Sequence, residues 1–177
     1  ITRISGESLV LHEGLADFFT FARTGNACLG ESICPATSDF CYVANQCLRT
    51  GDNDLALGAA NLPSEPHLKS QFISGFLWDF INKDKVPANV WAALMLKSIK
   101  ILNYNSGYQD LLLAMLVVDA AEYEGTYCNQ IQSRATARGM GSMITSYTCE
   151  QIATDTGTSY ASGAKINSIL GKDEGNT

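Results

Sequence analysis

The sequence predicts a mainly α fold, a compact helical domain of about five helices with a disulfide-bridged loop. Apolar residues recur every three or four positions in five separate segments, as on the buried face of a helix. No stretch alternates with the period of two expected of a half-buried strand. Six cysteines are present, Cys28, Cys34, Cys41, Cys47, Cys128 and Cys149, and the first four crowd one loop-like stretch rich in Gly, Pro, Ser and Asn.

The elements follow in order. Residues 7–23 read as a helix, with Leu11, Leu15, Phe18, Phe19 and Ala22 on one face. Ser5 lies at its N-cap region, and Thr24-Gly25-Asn26 ends it. Residues 25–66 are expected to form a long bridged loop, with a short helix near residues 42–48. Residues 67–82 resume helical spacing through Phe72, Phe76, Leu77 and Phe80. Pro87 opens a helix over 88–102, carrying Trp91, Leu94, Met95 and Ile99. Residues 103–107 turn the chain. A run of Leu, Met and Val predicts a buried helix over 108–124, stopped by Gly125. A fifth helix over 126–138 closes at Gly139. Residues 142–177 read as a Ser/Thr/Gly-rich extension of extended character, attached to a helical region at 7–141 within one domain, 1–177.

The bulk properties narrow the function. The chain has 177 residues, 46% hydrophobic and 17% charged, which is a folded globular composition. Its net charge is -6 and its basic residues are scattered, which argues against nucleic-acid binding. No apolar run is long enough for a bilayer. An even number of cysteines, with no close C-x2-C pair, favours three disulfides over a zinc knot. Bridged cysteines imply an oxidising compartment, so the chain is expected to be secreted or periplasmic. Cys128 with Cys149 is the natural last pair.

One segment carries the chemistry: His12-Glu13-Gly14-Leu15-Ala16-Asp17-Phe18-Phe19. Glu13 and Asp17 are four apart on a helix, so they share a face. By spacing alone a solvated acidic face is the commoner explanation. The string nevertheless resembles the glutamate helix of gluzincin zinc peptidases, the superfamily of thermolysin-like and fungalysin-like enzymes. There an H-E-x-x-H helix supplies two histidines and a general-base glutamate, and a later E-x-x-x-D helix completes the site. The resemblance implies that Glu13 is the third zinc ligand and that Asp17 hydrogen-bonds a zinc-ligating histidine; His12 is not a ligand.

Further stretches extend the resemblance over roughly residues 7–141. Leu48-Arg49-Thr50 is similar to the family's Leu-Arg-Ser segment, which implies that Arg49 grips a substrate carbonyl. A surface arginine beside a disulfide is the plainer alternative. His67-Leu68-Lys69-Ser70 resembles a helix start whose histidine donates to the oxyanion of the tetrahedral intermediate; the plainer alternative is an ordinary helix-start histidine. Pro66 puts His67 at a helix N-terminus, where partial positive charge favours the neutral imidazole. In the family pattern an aspartate five residues earlier holds that histidine. Here the position is Leu62, and Glu65 is the available substitute. Ala137-Arg138-Gly139-Met140-Gly141, following Asp119, is similar to the end of the helical subdomain in fungalysin-like peptidases.

No H-E-x-x-H occurs, and His12 and His67 are the only histidines. Too few residues precede Glu13 to hold that helix, so it is expected in an upstream N-terminal portion of the same peptidase. The sequence therefore implies the C-terminal helical portion of a secreted zinc-dependent endopeptidase acting on peptide or protein. Zinc belongs to the parent enzyme, and the chain alone is expected to be inactive and to bind no metal. The alternative is a secreted, disulfide-stabilised binding or inhibitor domain using the cysteine loop, with Phe40 and Tyr42 exposed. A degenerate peptidase kept as a structural module is a third reading. The catalytic readings need Glu13 and His67 together; the binding-domain reading tolerates them on opposite sides.

Overall fold

The computed structural model describes residues 5–31 and 47–149. The order is α1 (Gly6–Thr24), β1 (Cys28–Leu29), β2 (Arg49–Thr50), α2 (Pro66–Lys69), α3 (Gln71–Asn82), α4 (Ala88–Ile99), α5 (Tyr108–Tyr123), α6 (Cys128–Ala137) and a 3-10 turn at Gly141–Ile144. Five helices of ten or more residues make the body, as the periodicity predicts.

The apolar spacing explains the packing. α5 is buried without a break from Leu111 to Asp119, because it is apolar all round and lies among α1, α4 and α6. α1 packs along α3, burying Val10, Leu11, Leu15, Phe18 and Phe21. Each such side chain contributes about 2 kcal/mol of hydrophobic stabilisation. Trp91 on α4 stacks on Phe80 of α3, and its indole N–H donates to the Leu77 carbonyl at 3.1 Å. Gly25 ends α1 in the left-handed region at φ 70, which a side chain would strain.

Two disulfides are present among the described residues. Cys28–Cys47 joins the approaches to β1 and β2, which pair antiparallel with Cys28 opposite Thr50. Cys128–Cys149 ties the start of α6 to the segment beyond the 3-10 turn, as the sequence leads one to expect. Cys34, Cys41, Phe40 and Tyr42 lie outside the described residues, as does most of the expected helix at 42–48. Cys47 and Leu48 are not helical.

Three local expectations need correction. The single helix expected over 67–82 is two, because α2 stops at Lys69 and Ser70 turns its hydroxyl onto the His67 carbonyl at 2.7 Å. The long loop contains the short β1–β2 ladder, whose two-residue strands are too short to show any alternation. Residues 141–144 coil into a 3-10 turn instead of extending, after Gly139 turns the chain at φ 76.

Candidate functional site

The site is built where α1 crosses the α2–α3 junction, and Gly14 permits that crossing. A Cβ at Gly14 would lie 2.7 Å from Ile73 Cβ and 2.9 Å from the Ser70 carbonyl oxygen. The glycine therefore lets the two backbones meet, and the residue before it, Glu13, faces α2. Glu13 Oε1 lies 3.7 Å from His67 Nε2, an ion-pair distance that exceeds a direct hydrogen bond.

Glu65 holds the other side of the imidazole. Its Oε1 lies 2.7 Å from His67 Nδ1, and its Oε2 accepts the Leu68 N–H at 2.8 Å. Glu65 is thus the N-cap of α2, with Pro66 in the first helical position. The Glu65 carboxylate, and behind it Glu13, raises the His67 pKa above its ordinary value, while Glu65 is lowered by the same contact. The direction is opposite to the one expected from a helix N-terminus. A four-residue helix has little dipole, and two carboxylates outweigh it.

Asp17, one turn after Glu13, faces Arg49 on β2. Asp17 Oδ2 accepts from Arg49 Nε at 2.6 Å and Oδ1 from Nη2 at 2.8 Å, a two-point fork. Asp17 is 3% exposed, and its hydrogen bond raises the Arg49 pKa above its ordinary value. β2 is itself locked down. The Thr50 N–H donates to Gln71 Oε1 at 2.8 Å, and Asn53 Nδ2 donates to the Thr50 carbonyl at 2.6 Å. Gly51 fits against the Phe21 ring, with no space for a side chain.

The structure therefore gathers Glu13 with His67, and Asp17 with Arg49, along one side of α1. Glu65 was readable as a partner from the Glu-Pro-His order. Gln71, which holds Thr50 beside Arg49, had no local signal because its bond joins segments far apart in sequence. His12 is exposed and belongs elsewhere: with Leu11, Leu15, Ile99, Leu102 and Tyr104 it lines a cavity of about 380 Å³. A larger cavity, about 570 Å³, lies between α6 and the residues around Cys149. Neither of these two cavities contains Glu13, Asp17, Arg49 or His67. Among the described residues no three His, Cys, Asp or Glu side chains gather as a metal cage, and no helix is long and apolar enough to cross a membrane. No known protein family, curated protein or solved structure matches this chain.

Proposed function

We propose that this chain is the C-terminal helical portion of a secreted zinc-dependent endopeptidase of gluzincin type. The observation that carries the reading is the meeting of the Glu13 carboxylate and the His67 imidazole at 3.7 Å across two helices, next to the Asp17–Arg49 fork. The two disulfides support an oxidising compartment.

The donor set fits zinc in part. Glu13 is 30% exposed at its side chain and open on one face, which suits one ligand of a three-ligand site. The other two ligands and the general base are assigned to an H-E-x-x-H segment of a longer protein. Zinc, when bound, polarises the peptide carbonyl and supplies a hydroxide at neutral pH.

The chain's own residues do the rest. Arg49 spends Nε and Nη2 on Asp17, which aims the guanidinium and leaves Nη1 outside that pair for a substrate carbonyl. Asp17 oxygens each keep a lone pair, so Asp17 can also accept from a ligating imidazole. His67 donates from Nε2 to the oxygen that becomes negative during attack. By itself the chain brings one carboxylate to the metal, too few donors for tight binding.

The test is a longer protein carrying the coding region ahead of Ile1. It should contain H-E-x-x-H, cleave peptides and lose that activity to a chelator. Cleavage that ignores the chelator, or the lack of any cleavage, would sink the reading.

A further inference from the structure

Arg49 and His67 stand on separate elements, β2 and α2, and one buried side chain is bonded to the backbone of both. We propose that Gln71 is a positioning residue that fixes the Arg49 strand against the His67 helix. The proposal rests on the reading of Arg49 and His67 given above.

Gln71 is the first residue of α3 and is 2% exposed. Its Oε1 accepts the Thr50 N–H at 2.8 Å, one residue after Arg49. Its Nε2 donates to the Leu68 carbonyl at 3.1 Å, one residue after His67. A second clamp lies beside the first: Asn53 Nδ2 donates to the Thr50 carbonyl at 2.6 Å and to the Gln71 carbonyl at 3.0 Å. Both backbone polar groups of Thr50 are thus tied to Gln71, one directly and one through Asn53.

An apolar side chain of the same size could fill this place but could not make these bonds, and a buried amide is costly unless its polar ends are bonded. The Asp17 fork holds the guanidinium from α1, yet a fork fixes the tip of the side chain and not the strand beneath it. β1 holds the other edge of β2, but it is itself only two residues long. Gln71 supplies the fixed point on the strand. With tip and strand both held, Nη1 of Arg49 keeps a set place relative to α2. Reaction geometry is sensitive to displacements of about 1 Å, the scale on which one backbone bond acts.

The experiment uses the chain as it stands, labelled with 15N, beside Gln71→Met and Gln71→Glu. Met fills the space and bonds to neither backbone. Glu keeps an oxygen for the Thr50 N–H whether or not it is ionised. The readout is hydrogen exchange at the Arg49 Nε–H, a group bonded to Asp17 and not to Gln71, with its signal assigned by Arg49→Gln. Circular dichroism checks folding. Gln71→Met should speed the exchange about two- to tenfold, the equivalent of one net hydrogen bond, and Gln71→Glu should leave it close to that of the parent chain. A packing role alone predicts the opposite order, since Met suits a buried place better than a carboxyl group.

Unchanged Arg49 exchange in a folded Gln71→Met overturns the proposal, and so does a Gln71→Glu chain that is unfolded or loosened at Arg49. If Gln71→Met does not fold, Gln71→Glu decides alone. In the longer protein Gln71→Met should lower kcat about ten- to a hundredfold with little change in KM, and Gln71→Glu should restore most of it. The exchange effect in a protein that cleaves nothing upholds the positioning role and removes the peptidase reading. Zinc-dependent cleavage with parent-like exchange in both variants does the reverse.

Discussion

Three arginine–aspartate pairs stand among the described residues, and two of them, Arg138–Asp79 and Arg49–Asp17, are built for different ends. Arg138, at the end of α6, is 2% exposed and reaches Asp79 on α3, with Nε 2.9 Å from Oδ2. Its Nη1 donates to Asn53 Oδ1 and to the Leu55 carbonyl, each at 2.9 Å. Nη2 lies 2.8 Å from Asp79 Oδ2 in poor hydrogen-bond alignment, so it adds charge attraction only. Lys83 completes the neutralisation of Asp79 at 2.9 Å. Arg49, by contrast, is 16% exposed at its side chain and holds Asp17 through a two-point fork. An arginine that spends its donors on several segments fastens a fold; one that leaves a nitrogen outside its pair can still serve a ligand.

Asp119 extends the comparison to a buried aspartate with no arginine. It is fully buried near the end of α5, and its oxygens accept the Tyr127 N–H at 3.0 and 3.1 Å. Burial pushes its carboxyl up to about 6, against the backbone N–H bonds that pull it down.

The sharpest way to break the contrast is Arg138→Met. It takes the guanidinium donors from Asn53 Oδ1 and the Leu55 carbonyl and leaves Asp79 with Lys83 alone. The expected cost is about 3–5 kcal/mol, read by urea unfolding. A loss below about 1 kcal/mol would show that the Arg138 network is not what joins α6, α3 and residues 53–55.

Asp119 gives the next effect, through pH. Its folded pKa of about 6 lies above its unfolded value near 3.8, so between pH 4 and 6 the folded chain holds a proton that the unfolded chain has lost. Stability from this group therefore falls as pH rises through that window, by at most about 3 kcal/mol, and is flat above it. Asp119→Asn should remove that slope, and stability measured across pH 4–7 for both proteins isolates it. Equal slopes would mean that Asp119 is ionised throughout.

Arg49→Gln sharpens the comparison from the other side. It leaves one nearly buried carboxylate without its fork, at a cost of about 1–2 kcal/mol in unfolding experiments. The chain should still fold, while the longer protein, if the proposed function holds, loses substrate turnover. A loss as large as that of Arg138→Met would make Arg49 a structural arginine after all.

The smallest effect has the opposite sign. The Tyr108 hydroxyl is buried with no hydrogen-bond partner among the described residues, and burial pushes its pKa up to about 12. Its ring packs edge-on against Phe72, which Phe in its place would keep. Tyr108→Phe should stabilise the protein by about 0.5–1 kcal/mol, visible as a small rise in melting temperature.

How much of this was legible depended on the range of the interaction. The helices and their glycine stops could be read because apolar spacing and left-handed glycine caps act within a few residues, whereas Cys128–Cys149 followed only from their being the last two cysteines. Glu65 was named from the sequence only as a partner for His67; its capping of the Leu68 N–H emerged with the structure. The break at Ser70 was not legible, because the apolar rhythm of residues 67–82 continues across it. Nor was the pairing of Asp17 with Arg49, two residues that the sequence assigned to separate tasks. Spacing tells which side chains share a face; it does not tell which distant strand will be brought against that face.

By itself the sequence determined the helical class, the main buried faces and the carboxylates aligned on α1. Those follow from periodicity and from backbone preferences of single residues. Only the tertiary structure decided what each charge would meet: His67 between Glu65 and Glu13, Arg49 on Asp17, Arg138 on Asp79. The physical reason is that an ion pair is set by distance in space, and that distance was closed by packing such as Gly14 against Ile73, which lie far from each other in sequence.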